Sequence, residues 1–282
     1  VTATAGCHRA VITIGGISIG VDTSDQAFLR MLQERYAGFV ESSSRAPCDY
    51  EFDIDLGPPR GDMEPEDDIR VLRAGGRWRL ERGDFCAEWD PATGRGRVRQ
   101  SANPYAIDAV LRIVHTLVLA KKGGLLMHAA SAIRNNEAFV FAGVSGAGKT
   151  TLARMAPADV HLLSDEISYV RREDGGYWAY GTPFAGELAK SGENMRAPLA
   201  AIYLLVQGRE NRIAPIGSAD AARGILTNTL FFARDVELVQ AVFMAALDLA
   251  QSVPVSILTF VREPNVWELI GRRPTTNPEP KS

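Results

Sequence analysis

The sequence predicts an α/β protein in which a smaller β-rich α+β unit precedes a larger α/β unit. Three observations carry this. The first hundred residues hold short alternating strand candidates separated by turn-forming residues. A long helix candidate, Tyr105–Lys121, follows the break at Asn103-Pro104. Two apolar strand candidates, Leu125–Ile133 and Glu137–Ala142, then run into a glycine-rich loop with a helix-competent stretch behind it. The boundary falls near 100–104. The chain divides into a front unit (1–104), a larger unit (105–275) and a Pro-rich polar tail (276–282).

In the front unit, Ala10–Val21 alternates small, β-branched and polar residues and reads as strand. Ala27–Val40 places Phe28, Met31, Leu32, Tyr36 and Phe39 at helical spacing, an amphipathic helix. Tyr50–Leu56 alternates apolar residues with Glu51, Asp53 and Asp55, so one face is expected to be buried. Gly57–Asp68 is a loop rich in Pro, Gly and acids. Ile69–Arg73, Trp78–Arg82, Phe85–Trp89 and Gly96–Gln100 form an antiparallel meander. Its arginines are interleaved with Asp and Glu, which suits a solvated sheet face or a surface for an anionic partner.

The charge balance, 31 Lys+Arg against 34 Asp+Glu, speaks against a dedicated nucleic-acid binder. A hydrophobic content of 46% excludes a mostly disordered chain. Cys7, Cys48 and Cys86 lack the close spacing of a zinc or redox motif, and an odd, unpatterned set suits a reducing compartment. Val1–Ala10 shows no apolar signal core, and no run approaches the ~20 apolar residues of a membrane span. A cytoplasmic protein that uses neither membrane nor nucleic acid is expected.

The chemistry is concentrated in Gly143-Val-Ser-Gly-Ala-Gly-Lys-Thr150, followed by Thr151. It fits G-x-x-x-x-G-K-[ST] at every fixed position, after the strand Ala138–Ala142 and before the stretch Lys149–Met155. Gly143, Gly146 and Gly148 let the backbone curl, so that N–H groups along Ser145–Thr151, Ala147 included, point at one anion. The helix N-terminus faces the same anion. Lys149 adds a positive charge over the β- and γ-phosphates, and the Thr150 hydroxyl is placed for Mg2+. The chain has only five lysines (121, 122, 149, 190 and 281), and one stands where this loop needs it.

The next acids arrive early. Ala158–Val170 reads as a strand carrying Ser164-Asp165-Glu166, sixteen positions after Lys149. Period-two alternation puts Asp165 and Glu166 on opposite faces, so both meet one site only where the strand ends or bulges. Asp165 is the principal acid, on Mg2+ or accepting the substrate proton, and Glu166 is the second. His128 lies among small residues on the preceding strand, a core histidine or a site group. The turn-rich Gly181–Glu187 either is a plain loop or lines the phosphate site with Glu187 as a metal-side acid. Lys190 and Arg196 follow in a Gly/Ser/Asn-rich stretch that is a closing loop or a solvated one. Ala200–Val206 and Val255–Phe260 are strands; Ala219–Leu226 and Val236–Gln251 are helices.

The His128 strand, the Gly143–Thr150 loop and Leu163-Ser-Asp165-Glu166 together resemble the catalytic domain of HPr kinase/phosphorylase, over about residues 123–270. The resemblance implies a phosphoenolpyruvate-carboxykinase-like phosphate-loop fold. It implies transfer of the ATP γ-phosphate, with Mg2+, to a serine hydroxyl of a peptide or protein. Asp165 takes the place of the first acid, as general base, and His128 that of the histidine near the γ-phosphate. That family forms hexamers, so a homo-oligomer is implied. Three departures stand out: the second acid is Glu166 rather than Asp, the first hundred residues do not resemble that family's usual N-terminal domain, and Ser191-Gly-Glu-Asn194 with Arg196 is only a distant echo of the family's phosphorylase segment. The chain is also similar to divergent HPr-kinase-related proteins found beside peptide-modification genes, including those that phosphorylate the C-terminal serine of lasso-peptide precursors. Other readings are a kinase for a small hydroxylated metabolite such as free serine, carboxykinase-type chemistry, which lacks a second His or Lys cluster, and a non-catalytic nucleotide-gated binding protein.

Overall fold

The computed structural model describes residues 8–58, 64, 67–186 and 192–271. Cys7, Glu187, Lys190 and the tail 276–282 lie outside the described residues. The architecture is α/β with two mixed sheets.

The front sheet has seven strands in the order β1-β2-β3-β7-β6-β5-β4. The Ala10–Val21 run is not one strand. It is a hairpin of β1 (His8–Ile14) and β2 (Ile17–Thr23). Gly15 and Gly16, at φ +57° and +72°, make the turn, which needs two residues in the left-handed region. Helix α1 (Gln26–Arg35) starts at Asp25, whose carboxylate accepts from the backbone N–H of Ala27 and Phe28, both at 2.8 Å. It stops short of the expected Val40. Gly38 at φ +84° turns the chain, and Tyr36 and Phe39 are buried from the turn rather than from a helix. The helix makes a crossover, so β2 and β3 (Tyr50–Leu56) pair in parallel. On β3, Phe52 and Ile54 face inward and Asp53 and Asp55 outward, as the alternation predicts.

The meander is present as β4 (Arg70–Ala74), β5 (Arg77–Arg82), β6 (Phe85–Asp90) and β7 (Arg95–Gln100). Strand β7 closes it parallel to β3. Four of its arginines pair with neighbouring acids: Arg82 with Asp84 at 2.6 Å, Arg79 with Glu81 at 2.5 Å, Arg95 with Glu51 at 2.9 Å and Arg99 with Asp55. These pairs favour the solvated-face reading over a surface for an anionic partner.

Helix α2 (Pro104–Lys121) is capped by Asn103, which accepts from Tyr105 and Ala106 N–H, both at 2.9 Å. Fourteen of its eighteen residues are buried, so it is apolar on nearly every side. One apolar cluster runs from Ile12, Leu32 and Trp78 through α2 to Leu126, Tyr169 and Ile202, and the two sheets share it.

The second sheet is built on two long strands that change partners along their length. Strand β8 (Leu125–Arg134) pairs first with β11 (Ile167–Glu173) and then, from Ala129 on, with β9 (Glu137–Ala142). Asn135 and Asn136, at φ +53° and +63°, form the tight β8–β9 turn. Strand β13 (Arg196–Gln207) pairs in turn with β12 (Gly176–Tyr180), β9 and β15 (Val255–Phe260), the last two in parallel. Strands β12 and β14 (Arg212–Pro215) and a short 3-10 turn, Pro264–Glu268, have no counterpart in the sequence reading. Helices α4 (Ser218–Thr227) and α5 (Val236–Ser252) follow as expected. No described helix is long and apolar enough to cross a membrane.

The run Ala158–Val170 is also two elements, β10 (His161–Ser164) and β11, and the register against β8 shifts between Leu162 and Ser164. The chain breaks at Asp165-Glu166.

Candidate functional site

The loop Gly143–Gly148 leaves the end of β9 and enters α3 (Lys149–Arg154), a short helix. Three of its glycines are there for space or conformation. A methyl on Gly143 would stand 2.8 Å from the Ala147 Cβ, because the loop folds back on itself. Gly148 sits at φ +107° with Phe260 where a Cβ would be, at 2.6 Å. Gly146 sits at φ +79° and has open space on its Cα side. The Lys149 side chain is buried and donates to the loop carbonyls of Gly143 (2.7 Å) and Val144 (3.3 Å). Beneath the loop, Phe141 stacks on Tyr203, and the Trp267 indole N–H donates to the Leu152 carbonyl at 3.1 Å, holding α3 down.

The acid pair sits at the break between β10 and β11. The Ser164 hydroxyl accepts from the backbone N–H of Glu166 (3.2 Å) and Ile167 (2.9 Å), and this closes the turn. With the strand interrupted, the two acids escape the alternation that would have separated them, and both face one cavity. Asp165 is buried, and its Oδ1 accepts from Gly186 N–H at 2.9 Å. Glu166 is half-buried. Burial pushes its carboxyl above the usual carboxylate range, the Asp165 charge adds to this, and the cations of Arg112 and Lys149 oppose it.

His128 stands where β8 exchanges β11 for β9, and its backbone N–H donates to the Asn228 carbonyl at 2.7 Å. Burial lowers its imidazole pKa, and Lys149 and Arg112 lower it further, which favours the neutral ring.

These groups line a cavity of about 360 Å³. His128, Ser145, Gly146, Gly148, Lys149, Thr150, Thr151, Asp165 and Glu166 are all on its wall. Gly143 and Ala147 shape the loop from behind. Ala185 and Gly186 line the cavity too, so the described part of the Gly181–Glu187 segment is at the site; Glu187 lies outside the described residues.

Three contributors escaped the sequence reading. Arg262, an exposed residue just after β15, lines the same cavity. A lone arginine after an apolar strand gives no signal. Gln207, at the end of β13, donates to the Gly146 carbonyl at 2.6 Å and fixes the loop tip. Arg112, on α2, lies with its guanidinium 5.0 Å from the Phe184 ring centroid. Its signal was legible: Asp108 and Arg112 are charges inside an otherwise apolar helical stripe.

Among solved structures, the chain is similar to the HPr(Ser) kinase/phosphatase from Coxiella burnetii. The two are 11% identical, the match covers 45% of this chain and 92% of that one, and the TM-score is 0.24. No curated protein matches. A family model, SynChlorMet cassette protein ScmC, matches residues 102–273, which takes in α2, the glycine loop, the acid turn and every element as far as the Pro264–Glu268 turn. That span is more than half of the chain, and the protein belongs to the SynChlorMet cassette ScmC family.

Proposed function

We propose that this protein is an ATP- and Mg2+-dependent phosphotransferase that moves the γ-phosphate to a serine hydroxyl of a peptide or protein. The observation that carries the reading is the meeting of the Gly143–Thr150 loop, the Asp165–Glu166 turn and His128 on one cavity wall. The open face of Gly146 suits close approach of phosphate oxygens to backbone N–H groups. Lys149 is a buried cation at that face, able to neutralise charge developing on the transferred group.

The donor set fits Mg2+ of the substrate-bound kind. Among the described residues no cluster of three or more His, Cys, Asp or Glu makes a metal cage. Mg2+ in such sites takes one or two carboxylates and completes its shell with phosphate oxygens and water. Thr150 and Asp165 would hold it, with Glu187 as a further acid, and when bound it neutralises the β- and γ-phosphates. Asp165, or Glu166 beside it, orients the acceptor hydroxyl and takes its proton as the oxygen bonds to the γ-phosphorus and ADP leaves. The raised Glu166 carboxyl suits proton acceptance. Neutral His128 offers a hydrogen bond to the transferred phosphoryl group without competing for its charge. The larger unit, 105–275, carries transfer, and the front unit, 1–104, carries acceptor recognition.

The test is incubation of the full chain with γ-labelled ATP, Mg2+ and the peptides encoded beside its gene, read by mass spectrometry. A phosphoserine formed by the wild type and absent with Asp165→Asn supports the reading. ATP binding with no labelled acceptor in any mixture sinks it.

A further inference from the structure

Asp108 and Arg112 lie one turn apart on α2, the spacing at which Asp and Arg pair along a helix. They do not pair. The Asp108 carboxylate is taken by α1: Arg35 binds it through both Nε, at 3.0 Å, and Nη2, and the Tyr36 hydroxyl donates to it as well. Asp108 is buried, so these contacts are shielded from water.

Arg112 is left to the site. Its Nε is buried without a hydrogen-bond partner, and its guanidinium lies over Phe184 at 5.0 Å. Phe184 is buried two residues before Gly186, whose N–H donates to Asp165 Oδ1 and where an added Cβ would stand only 2.8 Å from Glu166 Cβ. The strap 181–186 is pinned at its other end as well. Thr182 N–H donates to the Leu163 carbonyl at 3.1 Å, and its hydroxyl donates to the Ile167 carbonyl at 2.8 Å. Arg112 thus holds the middle of a strap whose ends grip both sides of the acid turn.

Building on the phosphotransfer reading above, we propose that Arg112 is a positioning residue for the Asp165–Glu166 pair, and that Arg35 and Tyr36 of the front unit keep it in place by occupying Asp108. Release of Asp108 from α1 gives Arg112 a nearer partner, draws it off Phe184 and loosens the strap. The front unit is in this way coupled to the acids through two residues of one helix.

The experiment is residue-resolved amide exchange on the full chain without nucleotide, read at Gly186 on the strap and at Val140 on central strand β9. In Arg112→Met the Gly186 amide exchanges at least about tenfold faster, roughly 1.4 kcal/mol of lost protection, while Val140 stays within about twofold. Arg112→Lys, which keeps the cation over the ring, stays within about threefold of wild type. Arg35→Gln accelerates Gly186 like Arg112→Met, and Arg35→Gln combined with Asp108→Asn returns it to within about threefold, because no anion is left to capture Arg112. Hydrolysis of Mg-ATP adds a second readout: kcat falls in Arg112→Met with KM for ATP unchanged. The proposal is overturned if Gly186 is unmoved in Arg112→Met, if Val140 accelerates equally, or if the double variant is no better than Arg35→Gln. The predicted exchange pattern in a chain that transfers no phosphate upholds the strap and refutes the phosphotransfer reading instead.

Discussion

Gly186→Ala tests the acid site most directly. Gly186 is not in the left-handed region, so the substitution acts through space alone. The added methyl would lie 2.8 Å from Glu166 Cβ and 2.9 Å from Asp165 Oδ2. Comfortable carbon contacts are about 3.5–4.0 Å, so strap and acid turn must part by nearly an ångström. Crowding of this kind costs about 1–3 kcal/mol. Loss of the Gly186 N–H bond to a buried carboxylate adds about 1.5–3 kcal/mol where relaxation breaks it. A central total of about 3 kcal/mol corresponds to a fall in Tm of roughly 6–10 °C for a chain of this size. Displacement of a catalytic group by an ångström costs about a hundredfold in rate, with ATP affinity kept because the loop is untouched. Thermal melting, calorimetric titration with Mg-ATP and the labelled-transfer assay read the three quantities. A variant that melts within a degree of wild type and transfers phosphate within a factor of two refutes the packing argument.

Three further outcomes are expected. Lys149→Ala folds but loses at least about a hundredfold in Mg-ATP affinity by calorimetry, in line with the removal of charged hydrogen bonds; unchanged affinity means the cavity is not a nucleotide site. Asp165→Asn keeps Mg-ATP binding within about threefold and loses transfer, and full transfer by this variant removes Asp165 as base. His115 is fully buried, neither ring nitrogen has a hydrogen-bond partner, and burial pushes its pKa down to about 3. The unfolded chain therefore binds a proton that the folded one refuses. The stabilising difference is complete above about pH 6.5 and is lost as pH falls toward 3, by about 1.4 kcal/mol per unit at most. Between pH 7 and pH 4 the melting temperature of wild type should fall relative to that of His115→Leu, which lacks this titration; parallel curves contradict this.

Much of the fold was legible where local signals are strong. β3, β9 and β15 have the expected bounds, and α2 differs by one residue, because alternation, glycine punctuation and an Asn-Pro cap coincide there. The errors have physical causes. Gly15-Gly16 lay inside a run whose alternation continues on both sides, and the turn was read through. The helical spacing of Tyr36 and Phe39 outlasts α1, because a turn buried those rings on the same face. The parallel pairing of β3 with β2 and β7 depends on long-range partners that periodicity does not encode. At the site, the loop and both acids announce themselves by motif and spacing. The strand break that brings the acids together was a condition stated by alternation, and its agent, the Ser164 hydroxyl, is visible only in three dimensions. Arg262 and Gln207 reach the loop from strand ends distant in sequence, where nothing local marks them.

The near-complete burial of α2 has a consequence for how the gene tolerates change. A helix with so little wet surface has no face on which to end a protein. Its flank against α1 is as much interior as its flank against β8, and a chain begun at Pro104 would bare Asp108 and the apolar residues around it. Insolubility would be the first effect of such a truncation. The two sheets should give one calorimetric transition rather than two, and a ligand that clamps either sheet should raise the melting temperature of the whole.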